Sequence, residues 1–184
     1  MQTLGLGTTA TRSEGRLKSL LWPSVRSDMD VDYLTTQGFW ICFVVAAITA
    51  ALSVASGAYF GILDALFFYL GGNGVRQRSL TAAISVFLVY SLSSVVVGGN
   101  AYGGPRILIC GLLLANVRAI WIASRWRSSG SMDESPAPLS ETIGDKLCDL
   151  LPAMVWPKTR VVFYIFAVLE IAALGLAVVR LWGR

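Results

Sequence analysis

Residues Gly38–Ser56 read GFWICFVVAAITAALSVAS, and Gly57–Val75 continue as GAYFGILDALFFYLGGNGV. No charged side chain stands between Gly38 and Asp64. A bilayer core of about 30 Å is spanned by about 20 mostly apolar residues in a helix. One uninterrupted helix over both stretches would be roughly twice too long. The pair therefore predicts two membrane helices joined by a tight turn, placed at Ser56-Gly57. Three further apolar runs follow: Leu80 to Val97, about Pro105 to Ala123, and Val161 to Trp182. The fold predicted is all-α, a polytopic helical membrane protein with five transmembrane helices. The alternative is four spans, with the second segment re-entrant.

Composition agrees. Of 184 residues, 55% are hydrophobic and only 14% charged. A soluble domain carries about 25% charged residues. The mean hydropathy is +0.64. These values exclude a soluble enzyme fold, a disordered chain and a disulfide scaffold. The chain has no histidine. That removes His-ligated haem, His-containing zinc sites and Ser-His or Cys-His catalysis. No cofactor or metal site is expected. Cys42 and Cys110 fall inside spans, where a thiol acts as a small hydrophobe, and Cys148 lies outside them in no metal or redox spacing. Gly5-x-Gly7 is too short for a nucleotide fingerprint.

Lys and Arg set the orientation. The N-terminal segment holds Arg12, Arg16, Lys18 and Arg26. The link between spans two and three holds Arg76 and Arg78. The link between spans four and five holds Arg125, Arg127, Lys146, Lys158 and Arg160. With five spans all of these share one side, and the other side receives Arg106, Arg180 and Arg184. The N-terminus is therefore placed in the cytoplasm and the C-terminus outside, in the cell inner (plasma) membrane. The first apolar run begins at Gly38, too late for a signal peptide. The net charge of +4 is explained by flanking residues at anionic headgroups and calls for no nucleic acid.

The organisation expected is a cytoplasmic segment 1–37, a four-helix membrane region 38–127, a cytoplasmic linker with an amphipathic helix 128–158, and a last membrane helix 159–184. In the first segment Asp28, Asp30 and Asp32 read as a solvated linker. In the third, Ser140 is the expected N-cap, and Ile143, Leu147, Leu150 and Leu151 form one apolar stripe. Pro152 is expected to end that helix. The stripe suits either the inner headgroup surface or a docked partner. Trp22 and Trp156 open matching W-P-x-x-R motifs and are expected as interfacial anchors. Gly71-Gly72-Asn73-Gly74 is expected to cap the end of the second span.

Asp64, Arg118 (with Asn116 beside it) and Glu170 fall well inside spans. A charge at that depth costs roughly 2.5–3.5 kcal/mol on insertion scales. The least costly arrangement has Arg118 facing one or both acids within the bundle. Gly57-x-x-x-Gly61 and the row Ala47, Ala51 and Ala55 are expected to let helices approach. Such a cluster either fixes helix register or forms an ion or proton path. Two functions follow. One is a non-enzymatic structural or accessory subunit of a larger inner-membrane assembly, with the bilayer and other membrane subunits or further copies as partners. The other is a small proton- or ion-coupled transporter or channel using Asp64, Arg118 and Glu170.

Overall fold

The computed structural model describes Val25 and residues 28–96, 103–129 and 143–182. Those residues are all-helical. Five helices follow one another: α1 (Asp28–Ser56), α2 (Gly61–Arg76), α3 (Leu80–Val96), α4 (Gly103–Ser129) and α5 (Ile143–Trp182). Three contain stretches long and apolar enough to cross a membrane: Asp28–Ser56, Gly103–Arg127 and Pro152–Arg180. At 1.5 Å per residue, α2 and α3 rise only about 24 and 26 Å. The readings placed on Trp22, on the loop after Val97 and on the linker before Ile143 lie outside the described residues. Leu147 and Leu151 are helical in backbone, and their side chains also lie outside the description. Leu150 is exposed.

The bundle is apolar on its outside as well as in its core. Val44, Ile48 and Leu52 on α1, Ile107 and Trp121 on α4, and Val168 and Val179 on α5 are exposed, while Thr35, Ser53, Asn73 and Asn116 are buried. Large apolar surfaces of this kind are stable against hydrocarbon. The core gathers Cys42 and Ala46 of α1, Phe67 and Leu70 of α2, Val86 of α3, Leu113 of α4, and Trp156 and Phe163 of α5.

The turn expected at Ser56-Gly57 is present. α1 stops at Ser56, and Gly57 takes φ +70°, the left-handed region open to glycine. Serine hydroxyls soften that end. Ser53 Oγ and Ser56 Oγ donate to the carbonyls of Thr49 and Leu52 at 2.7 and 2.8 Å. Gly61 then packs directly on Ser53. α1 and α2 thus form an antiparallel hairpin.

Four expectations are corrected. The first helix begins ten residues before Gly38, because Asp28 and Asp30 supply the acidic first turn that a helix N-terminus favours. The row Ala47, Ala51 and Ala55 is exposed; the packed stripe of α1 is Val31, Thr35, Gly38, Cys42, Ala46 and Ser53. The Gly71–Gly74 run does not cap α2 but lies within it as its packing surface. A Cβ on Gly72 would stand 2.8 Å from Cys42 Cβ, and one on Gly74 would stand 2.5–2.6 Å from Trp156 and Ala82. Gly71 is closed by Val86 and Phe163. Three nearby glycines thus let α1, α3 and α5 close around α2.

The fourth correction concerns α5. It runs unbroken from Ile143 to Trp182 through Pro152 and Pro157, and does not end at Pro152. Proline removes one hydrogen bond and crowds the preceding turn, yet neighbouring helices can hold such a segment. Here Pro152 is fully buried, and Trp156 is buried against Gly74, so packing holds this turn. Trp156 is accordingly a core residue, not an interfacial anchor. Its ring meets those of Phe163 and Tyr164 at 5.4 and 6.1 Å.

Candidate functional site

Polar side chains gather at three places in the bundle. The first is where α1 starts and α2 ends. α2 closes with a Schellman motif: Ser79 N–H donates to Gly74 O at 3.0 Å, and Arg78 N–H to Val75 O at 2.9 Å. The left-handed position, usually glycine, is occupied by Arg78 at φ 55°. Side chains lose roughly 1–2 kcal/mol in that conformation. The Arg78 guanidinium is held in return. Nη1 and Nη2 donate to the two Asp28 oxygens at 2.6 and 3.1 Å, and Nη2 lies 3.6 Å from Asp32. Arg76 Nη1 donates to Asp32 Oδ1 at 2.5 Å and to Thr35 Oγ1 at 3.1 Å. Asp28 and Asp32 are one helical turn apart and act together as a clasp on the α2–α3 turn. Ser79 Oγ then accepts from Ala82 N–H at 3.4 Å as the N-cap of α3. Tyr164 hydroxyl meets Thr81 Oγ1 at 2.7 Å, tying α5 to the same corner.

The second place is the opposite, turn end of the hairpin. Asp64 lies in the first turn of α2, and Glu170 lies on α5. The two carboxyls lie beside each other between α2 and α5. Both residues are half-buried. The N-terminal end of α2 also favours a negative group at Asp64.

The third place holds Asn116 and Arg118. Asn116 is buried against Gly38 and Val75: a Cβ on Gly38 would stand 2.5 Å from Asn116 Oδ1. Its Nδ2 donates to Leu112 O at 2.9 Å. Asn73 makes the same back-bond to Tyr69 O at 2.7 Å. Among the described residues, neither amide Oδ1 has a hydrogen-bond partner.

These positions overturn the expected triad. Asn116 is level with Val75, and Arg118 is two residues further toward the clasp end. Asp64 is eleven residues from Val75 along α2, about 16 Å in rise. That is well beyond the ~4–6 Å over which an opposite charge governs a carboxylate. The acids meet each other, and among the described residues no ion pair joins either one to Arg118, which has a partner of its own. The depth argument failed because it counted α4 from Pro105, whereas α4 extends to Ser129 and slides Arg118 toward the clasp. The clasp was missed outright. Its signal was available: Asp28 and Asp32 at a four-residue spacing before an apolar run, and two arginines where the antiparallel partner ends.

Arg125 and Arg127 at the end of α4, and Lys158 close to Trp156, lie toward the same end as Arg76 and Arg78. Arg125 rests on the Trp121 ring at 3.9 Å. Among the described residues no cluster of three metal-ligating side chains forms. No protein-family model matches the chain, and comparison with curated proteins and with solved structures finds no match.

Proposed function

We propose that the chain is a non-enzymatic, multi-pass protein of the inner (plasma) membrane, a structural or accessory subunit of a larger assembly. The observation that carries this reading is the face of α5. Only 11% of its apolar stretch is buried, against 39% for α4. Phe163 and Ala167 point inward, while Val161, Ile165, Val168, Leu169, Leu176 and Val179 are exposed. Lipid alone can cover such a face. The half-buried pair Asp64 and Glu170 beside it is costly against lipid, and a partner helix bringing a donor would offset that cost. The five-span, N-in reading is supported by the gathering of Arg76, Arg78, Arg125, Arg127 and Lys158 toward one end, as positive-inside orientation requires.

A photo-crosslinking residue at Leu169, in intact membranes, tests the assembly. A discrete protein adduct from Leu169, absent from Ile107 on the far side, is expected. A chain that crosslinks only to lipid and purifies as a monomer overturns the reading. A second reading is a proton-coupled transporter, supported by the placement of two carboxyls, Asp64 and Glu170, side by side within the bundle. Proton flux in liposomes that disappears in both Asp64→Asn and Glu170→Gln would establish it. Arg118 has no part in that version.

A further inference from the structure

Two adjoining cavities form a groove along the seam between α1 and α4, and they differ in chemistry. Toward the clasp end is a cavity of about 460 Å³, almost wholly apolar, lined by Tyr33, Gln37, Trp40, Ile41 and Val44. Toward the turn end lies a second cavity of about 260 Å³. Val45 and Ile109 line both, so the two adjoin. The second cavity is the more polar of the two: Thr49, Tyr90, Ser93, Ser94 and Arg106 border it beside Ile48. Ser93 Oγ and Ser94 Oγ both donate to Tyr90 O, at 2.9 and 2.7 Å, so their protons are already committed and Arg106 is the cationic donor of this cavity. Arg106 is half-buried, and among the described residues it has no hydrogen bond or ion pair. It stands near the start of α4, where the helix dipole adds to its positive charge.

A half-buried guanidinium in this setting lacks the counter-charge that buried charges require. The acids at the same end, Asp64 and Glu170, lie at the α2–α5 seam and do not line this groove. The missing group is therefore an anion, and the apolar channel that leads away from it calls for an attached hydrocarbon chain. The length agrees. From Thr49 to Gln37 the groove follows α1 for about 18 Å, close to the roughly 15 Å depth of one leaflet of a 30 Å core. We propose that this groove is a binding site for an anionic phospholipid, with the phosphate on Arg106 and one acyl chain laid between α1 and α4.

The full chain in detergent, examined by native mass spectrometry, tests this. Phosphatidylglycerol and phosphatidylcholine of matched acyl chains serve as probes, with inorganic phosphate as a competitor. Phosphatidylglycerol should be retained in preference to phosphatidylcholine. Arg106→Gln should weaken that preference about fivefold, the ratio equivalent to the ~1 kcal/mol that a basic residue contributes at an anionic lipid surface. Arg106→Lys should largely keep it. Ile109→Trp, which obstructs the groove, should weaken both lipids. Helical content by circular dichroism identifies which variants are folded, and the Gln and Lys pair at one position separates charge from folding. Equal retention of the two lipids by the unaltered chain overturns the proposal. So does a preference that survives Arg106→Gln. Displacement of the lipid by inorganic phosphate would show a phosphate site without a role for the groove. A dimer that depends on Arg106 while both lipids bind equally would assign the groove to a second copy of the chain. Either result also overturns it.

Discussion

Gly74→Ala adds one methyl group where α2, α3 and α5 meet. The added Cβ would lie 2.5 Å from Trp156 Cη2 and 2.6 Å from both Trp156 Cζ3 and Ala82 Cβ, whereas ordinary contact begins near 3.4 Å. Two of those atoms belong to an indole already wedged against Phe163 and Tyr164, and the third is the stub of a buried alanine on α3. None is the free end of a flexible side chain, so a helix must move. Forcing a methyl into a packed core costs about 1–3 kcal/mol. Gly175→Ala is the control. Nothing lies within 4 Å of a Cβ at that position in α5, and the helix-propensity gain is about 0.8–1 kcal/mol. Gly74 is helical too, so both variants share the propensity gain, and they should move apart by roughly 1–3 kcal/mol, the cost of the forced methyl. Denaturant-induced unfolding in mixed micelles, followed by circular dichroism, measures this. The double variant Gly74→Ala with Trp156→Phe should recover part of the loss, because the smaller ring vacates the contested space, with a coupling of about 0.5–3 kcal/mol. If Gly74→Ala unfolds with Gly175→Ala, the close approach of three helices around α2 is wrong.

Asp28→Ala and Arg78→Ala, combined in a double-mutant cycle, should show a coupling of about 1 kcal/mol, within the range for contacting side chains. A coupling indistinguishable from zero would remove the clasp from the stability of the α2–α3 turn. Asp64→Asn keeps a donor and acceptor opposite Glu170 and should unfold with the unaltered chain. Asp64→Leu leaves the Glu170 carboxyl without its partner and should cost about 1–3 kcal/mol; equal stability of the two would mean the carboxyls do not bond. A cysteine at Asn100 should be labelled from outside the cell and one at Ser131 protected, and the reverse pattern would invert the proposed orientation.

The hairpin was readable because its two determinants are local. An apolar run too long for one span needs a break, and Ser56-Gly57 offers the residue that tolerates φ +70°. The exposed apolar exterior followed from composition in the same way. The packing did not. Ala47, Ala51 and Ala55 and the stripe through Cys42 and Ala46 are both rows of small residues at helical spacing. Which of them meets α2 depends on Gly72, on another helix. The glycine run read as a cap because glycine at a helix end and glycine under a neighbouring helix look alike in one dimension. Pro152 read as a stop because the cost of proline is local, whereas the packing that holds it comes from elsewhere in the bundle. The site suffered most. Asp64, Arg118 and Glu170 fall within α2, α4 and α5, but pairing depends on the relative slide of those helices. No residue count within a single segment reports that slide.

The length of α5 has a mechanical consequence. Forty residues of helix reach about 60 Å, twice the hydrocarbon thickness. Its early turns continue as an arm from the buried Pro152 and Trp156. The missing N–H groups of Pro152 and Pro157 leave the carbonyls of Cys148 and Ala153 without their helical donors. Each of those turns therefore holds one backbone hydrogen bond fewer than its neighbours, and side-chain packing replaces it. Trp156 stands between the two weakened turns and presses on Gly74. Torque applied to the far end of the arm arrives at the seam where α2 is thinnest. Whatever takes hold of residues 143–151 thereby gains leverage over how tightly the bundle is closed.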